Sequence, residues 1–110
     1  MSYSIIPTHR FEKELKRLVK KFPSLKQEFS QLITEILQTP DLGTPIGNNC
    51  FKVRLGIGSK GKGKRGGARV ITYFYAEAGG VYLLTIYDKS EKGDLKPNEL
   101  KAMVESLDLT

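Results

Sequence analysis

The chain has 110 residues, of which 39% are hydrophobic, 27% charged and 9% aromatic, with a formal net charge of +6. This composition excludes a disordered chain, a collagen-like repeat and a disulfide scaffold, and the length fits one domain over residues 1–110. No apolar run reaches the roughly 18 residues of a membrane span, the N-terminal stretch has no signal-peptide core, and the lone Cys50 closes no internal disulfide, so a reducing cytoplasm is the expected compartment.

Tyr3 to Ile6 is a short β-prone stretch ended by Pro7. Thr8 is placed to cap a helix. Phe11, Leu15, Leu18, Val19 and Phe22 then form one stripe of period 3.6, with Lys13, Lys16, Arg17, Lys20 and Lys21 off it. Pro23 stops this helix. Ser24 with Gln27 reads as a capping box for a second helix, whose stripe is Leu25, Phe29, Leu32, Ile33, Ile36 and Leu37 and which ends at Thr39-Pro40. A connection of one or two residues makes the pair an antiparallel hairpin. Residues 41–49 read as an irregular, turn-rich connection.

Phe51, Val53 and Leu55 alternate with Lys52 and Arg54, which predicts a half-buried strand with a cationic outer side. Residues 58–67 hold five glycines, three lysines and one arginine and read as a flexible, positively charged loop. Arg69 to Ala76 is strongly β-prone, residues 77–80 supply a turn, and Val81 to Tyr87 reads as a central strand. Pro97 suits the first position of a last helix with Leu100, Val104 and Leu107 on its stripe. The order β-α-α-β-β-β-α predicts an α+β domain: a small antiparallel sheet, the helical hairpin on one face, and Lys52 and Arg54 on the other.

Charge is unevenly spread along this order. Residues 1–41 hold seven bases and five acids, residues 42–76 seven bases and no acid, and residues 77–110 four bases and seven acids. A stretch with seven positive charges and no negative one points to a polyanion as partner. Gly56 to Gly61 spells G-x-G-x-x-G and Gly58 to Lys64 approaches a P-loop, but a strand follows rather than a helix, and Arg65 stands where a Mg²⁺-binding hydroxyl is needed. His9, alone of its kind, falls at a helix start, and Cys50 reads as a buried filler. No spacing suits a metal or a catalytic triad, and no cofactor is expected. Among the aromatic residues, Tyr73 and Tyr87 are candidates to stack on bases, an interaction worth about 1–3 kcal/mol.

Three strings carry a family resemblance: Phe51-Lys52-Val53-Arg54-Leu55, the run Lys64 to Ile71, and Tyr82 to Lys92. Together, in this order, they resemble the RelE/HigB toxins of bacterial toxin–antitoxin systems. The resemblance covers nearly the whole chain and includes the order of elements. It implies a ribosome-dependent mRNA endoribonuclease that enters the ribosomal A site, cuts the message, halts translation and is neutralised by a cognate antitoxin. Lys52 and Arg54 stand where the family has paired basic residues on a strand. Arg69 stands where it has an arginine on the scissile phosphate, and Lys89 stands near a further basic residue. Leu95 falls where several members have a tyrosine that acts in proton transfer, so the general base does not carry over.

RNA supplies its own nucleophile, the 2′-OH, and the protein must align it, stabilise the charged phosphorane and move two protons. Without a metal ion, arginine and lysine supply the charge. A lysine crowded by cations loses its proton more readily, which makes Lys52 the candidate proton acceptor beside Arg54. Arg54 and Arg69 are assigned to the phosphate and Lys89 to leaving-group protonation. Lys60, Lys62, Lys64, Arg65 and Lys92 are expected to bind ribosomal or messenger RNA backbone, which needs charge but little geometry. Two other readings stay open: a toxin acting on a protein target such as DNA gyrase, as the related ParE group does, and a non-catalytic RNA-binding module.

Overall fold

The computed structural model of the protein describes residues 3–61 and 66–107. In chain order these form β1 (Ser4–Pro7), α1 (His9–Lys21), α2 (Leu25–Gln38), β2 (Thr44–Gly47), β3 (Cys50–Leu55), β4 (Ala68–Tyr75), β5 (Gly80–Asp88) and α3 (Pro97–Glu105), with single 3₁₀ turns at Gly58–Lys60 and Ala76–Ala78.

Thr8 caps α1 as its position requires. Its Oγ accepts from the Phe11 N–H at 3.2 Å and donates to the Leu83 carbonyl at 2.9 Å, which ties the helix start to β5. Ser24 behaves differently from a capping residue. It is itself helical in φ and ψ and makes no cap bond. Its Oγ accepts from the Ser59 N–H at 2.9 Å, while the neighbouring Glu28 Oε2 accepts from the Gly58 N–H at 2.7 Å. The turn between the helices therefore holds the start of the glycine-rich loop, and long-range partners displace the local one.

One sheet runs β1-β5-β4-β3-β2. The β3-β4-β5 meander is antiparallel, as its short connections demand. β1 pairs parallel with β5, so the whole sheet is mixed. β2, within the stretch expected to be irregular, pairs antiparallel with β3. Asn48 and Asn49 make this hairpin, with φ of 55° and 59°; asparagine tolerates the left-handed region that a two-residue hairpin turn needs. Pro45 is accommodated because β2 is an edge strand.

Each face of the sheet carries its own apolar cluster. α1 and α2 cover one, where Phe11, Leu18, Leu25, Leu32 and Ile36 meet Val53, Val70, Leu83 and Ile86. α3 covers part of the other, where Leu100 and Met103 meet Cys50, Ile71, Leu84 and Tyr87. A bulge in β5 decides which residues go where: Ile71 faces Thr85 and Thr72 faces Leu83, leaving Leu84 as the extra residue. Without it, side chains two apart would share a face. With it, Leu84 and Ile86 fall in opposite clusters, and Tyr87 turns to the α3 face.

Candidate nucleic-acid interface

The register of the meander builds a row across the sheet. Arg54 on β3 is directly opposite Arg69 on β4, and Arg69 is directly opposite Tyr87 on β5. Residues so paired project from the same face with Cβ atoms about 4.5–5.5 Å apart, and like charges in that position repel. Arg54 is exposed. Arg69 is 3% exposed, and its Nη1 donates to the Ala68 carbonyl at 3.0 Å. Tyr87 is 5% exposed, and its hydroxyl has no hydrogen-bond partner among the described residues. Burial pushes the Tyr87 phenol above its ordinary pKa, with Asp94 and Glu99 adding to the rise and Arg69 opposing it.

Lys52 lies two residues before Arg54 on β3, on the same face. Its Nζ is 3.3 Å from Asp94 Oδ1, and the Nζ of Lys89, just past β5, is 3.6 Å from the same oxygen. The Lys52 hydrogen bond, then the Lys52 and Lys89 charges, hold the Asp94 carboxyl below the usual range. Beneath this bridge is a cavity of about 150 Å³ lined by Lys52, Ile71, Tyr87, Asp94, Leu95 and Leu100, among others. Lys52, Arg54, Arg69, Tyr87 and Lys89 thus share one end of one sheet face. Lys52, however, is paired with a carboxylate, whereas the proton-acceptor role invoked a neighbouring cation. Leu95, at the position compared with a tyrosine, packs into the apolar cluster under α3.

Other expected contacts lie elsewhere. Lys60 is not a free loop cation: its Nζ is 2.6 Å from Asp88 Oδ1, with side chains 8% and 2% exposed, and it lies 5.4 Å from the centre of the Phe22 ring. The buried Asp88 at the end of β5 captures it, so Lys60 is withdrawn from RNA contact. Lys92 pairs with Glu99 on α3 at 2.9 Å. Tyr73 is four residues along β4 from Arg69, about 13 Å by strand rise, where its ring centre lies 6.4 Å from that of Tyr75 and 6.2 Å from that of Tyr82. It is outside the cationic row. Lys62, Lys64 and Arg65 lie outside the described residues. Cys50 is buried and its thiol is pushed up to about 11. Among the described residues, no three His, Cys, Asp or Glu side chains group to hold a metal ion, and no helix is long and apolar enough to cross a membrane.

Sequence reasoning missed Asp88 and Asp94. Both sit in the net-negative C-terminal third, yet fold back onto the basic segment. The register of β4 with β5, which sets Ala68 opposite Asp88, brings the first there, the segment after β5 carries the second back, and no local pattern announces either.

No protein-family model matches the sequence. Solved structures do match the fold. A double arginine-to-alanine variant of the E. coli toxin RelE in the free state superposes with a TM-score of 0.64 at 17% identity, covering 96% of this chain and 97% of that one. The isolated E. coli RelE toxin gives 0.60 at 16% identity over 96% and 99%. The chain has the RelE fold. A third RelE structure, in complex with an antitoxin RelBc peptide, matches with a TM-score of 0.59 at 17% identity, covering 100% of this chain and 99% of that one. At such identity the shared RelE architecture speaks for the placement of the strands and helices, while the side chains must be judged on their own chemistry.

Proposed function

We propose that this RelE-fold chain is the toxin of a toxin–antitoxin pair and acts as a ribosome-dependent mRNA endoribonuclease. The observation that carries the reading is the Arg54–Arg69–Tyr87 row. Two arginines directly opposite one another concentrate positive charge across β3 and β4, and a polyanion lying across those strands is the partner that such a charge pattern attracts. A protein-directed toxin of the ParE kind has no such need for stacked cations.

In this reading the 2′-OH of the message attacks the adjacent phosphate. A P–O2′ bond forms and the P–O5′ bond breaks, leaving a cyclic phosphate and a 5′-OH. The exposed Arg54 guanidinium donates to the nonbridging oxygens as their charge grows. The buried Arg69 acts from beneath, as a fixed positive charge in a low-dielectric setting. Lys52 and Lys89 flank the phosphate from two elements as ammonium groups; Lys89 is the candidate to protonate the leaving 5′ oxygen, and the 2′-OH proton passes to water. The phenol of Tyr87 borders the same space. Precise work of this kind suits residues held on strands. The partner that restrains the toxin is a cognate antitoxin, a reading supported by the RelE-fold toxin found with an antitoxin peptide.

The purified protein, added to a translating extract with message ends mapped by primer extension, tests the reading. New ends that appear only on translated messages are expected. Uncut message with blocked supercoiling by gyrase supports the ParE-like alternative. Uncut message with RNA bound leaves only a binding module.

A further inference from the structure

Among the described residues, Asp94 is the acid that pairs with Lys52 and Lys89 at the exposed part of the cationic site, and its position is unusual for a surface carboxylate. One oxygen serves ammonium groups from two separate elements, Lys52 on β3 and Lys89 beyond β5. The Asp94 side chain is 64% exposed, whereas Lys52 is 26% exposed. Asp94 is thus an arm from solvent laid over a partly sheltered lysine. Beneath it the Tyr87 hydroxyl is buried and unpartnered among the described residues. A buried hydroxyl left so is costly unless something else completes it.

We propose that Asp94 is a built-in anionic latch: its carboxylate occupies the place of a phosphate between Lys52 and Lys89 and must swing out for a phosphodiester to bind. The inference rests on the RNA reading above and specifies which group the RNA displaces. A carboxylate and a phosphate oxygen make the same charge-assisted bond to an ammonium, so the exchange keeps both lysines satisfied. The incoming group also gains what Asp94 leaves unused, the Tyr87 hydroxyl. The cavity below, about 150 Å³, is smaller than the roughly 300 Å³ at which small-molecule sites begin. It therefore takes the phosphate or sugar edge of a longer strand, not a whole free nucleotide. The chain beside it is uncrowded: Gly93 precedes Asp94, and a Cβ built at Gly93 meets no atom within 4 Å, so the two lysine contacts are the bonds that the swing exchanges.

The test separates binding from cleavage. A fluorescent 2′-O-methyl RNA hexamer, which has no free 2′-OH at the bridged positions and is not cut, is titrated by anisotropy across a salt series. Asp94→Asn removes the competing charge without touching the core. Freeing one phosphate contact steepens the log–log salt slope by about 0.7, which is about eightfold tighter binding at 50 mM salt and none at roughly 1 M. Glu77→Gln, the same charge change on an exposed turn at the far end of β4, should move affinity less than about twofold. Adding Lys52→Met to Asp94→Asn should return the slope to that of the wild type. Equal affinity and slope for wild type and Asp94→Asn, including equal absence of binding, overturns the latch, as does an equal gain in Glu77→Gln. Cleavage on programmed ribosomes is read separately. Cutting without the binding gain keeps the ribonuclease and removes the latch; the gain without cutting does the reverse.

Discussion

Lys60→Met decides how much of the basic segment is architecture. In the folded protein the Lys60 Nζ sits 2.6 Å from Asp88 Oδ1, and the two side chains are 8% and 2% exposed. The same oxygen accepts from the Ser90 N–H at 2.9 Å and from its hydroxyl at 2.8 Å. Methionine keeps most of the length and the contact with Phe22 but leaves a buried carboxylate without its cation. Removing one partner of a buried pair costs about 3–5 kcal/mol. The two Ser90 bonds survive, which places this case near the lower end, about 3 kcal/mol. Unfolding entropy of about 2.1 cal/mol/K per residue comes to roughly 0.23 kcal/mol/K for 110 residues, so the Tm should fall by about 13 °C.

The same pair sets a pH signature. Burial alone would raise the Asp88 carboxyl, but the Lys60 ammonium and the Ser90 donors outweigh it and hold it below its ordinary value. A folded pKa below the unfolded one, about 3.9, gives stability that is present above that value and lost as pH falls through the folded value. The gap between wild type and Lys60→Met should therefore be full at pH 7 and close below about pH 4. Calorimetry from pH 7 to pH 3 measures it, with Lys92→Met as the control for a half-exposed pair. A Tm change under about 2 °C at pH 7, or a gap that stays constant into acid, refutes the claim that Lys60 is a buried structural cation.

Arg54→Gln should lower cleavage on programmed ribosomes by about 10²–10³, while the melting temperature holds or rises slightly as the repulsion with Arg69 is relieved; primer extension and circular dichroism on the same preparation read both. Arg69→Lys keeps the charge but loses the planar fork, and a cleavage rate within about twofold of wild type would show that the fork is not used. Changing Lys62, Lys64 and Arg65 together to serine should flatten the log–log salt dependence of RNA binding by up to about 2, at about 0.7 per contact, with cleavage at saturating protein largely kept. Asn49→Ala places an ordinary side chain at φ 59° and should cost about 1–2 kcal/mol in chemical denaturation, with Asn49→Gly close to neutral.

What the sequence shows and what it hides follow one physical division. Period and punctuation are local, so α1, α2, β3, β4, β5 and α3 all stand where their stripes, prolines and alternation place them. β2 was hidden because Thr44-Pro45-Ile46-Gly47 has almost no alternation; its signal was the Asn48-Asn49 pair, a hairpin turn mistaken for irregular chain. The parallel pairing of β1 was hidden because its partner is some seventy-five residues away. For the site, the alternation of Lys52 and Arg54 was enough to predict a cationic face. The β5 bulge at Leu84 then determined that Tyr87 joins it, and nothing in Val81 to Tyr87 announces an extra residue. Lys60 looked like its loop neighbours in sequence. Its difference lies entirely in Asp88, which chain order keeps far off and the fold brings within 2.6 Å.

The two acids that return to the basic segment do opposite things for one reason, which is solvent. Asp88 and Lys60 are both nearly sealed from water, where breaking a pair strands a charge and the contact behaves as part of the core. Asp94 faces water, and an ion pair in that setting is weak and screened by salt. The Asp94 pairs with Lys52 and Lys89 are therefore the weaker ones, as the proposed exchange requires, while the Lys60–Asp88 pair is part of the core. The seven positive charges of residues 42–76 divide accordingly. Lys60 anchors the base of the glycine-rich loop against β5, and the Lys89 N–H, donating to the Gly67 carbonyl at 3.0 Å, fixes the loop's other end beside the site. Lys52, Arg54 and Arg69 are left on strands that this anchoring holds in place. A positive field that seemed uniform along the chain thus resolves into a sealed counter-ion at the base of the loop and a solvent-facing one beside the site, and the second is the one that the proposed RNA phosphate would replace without unpairing a buried charge.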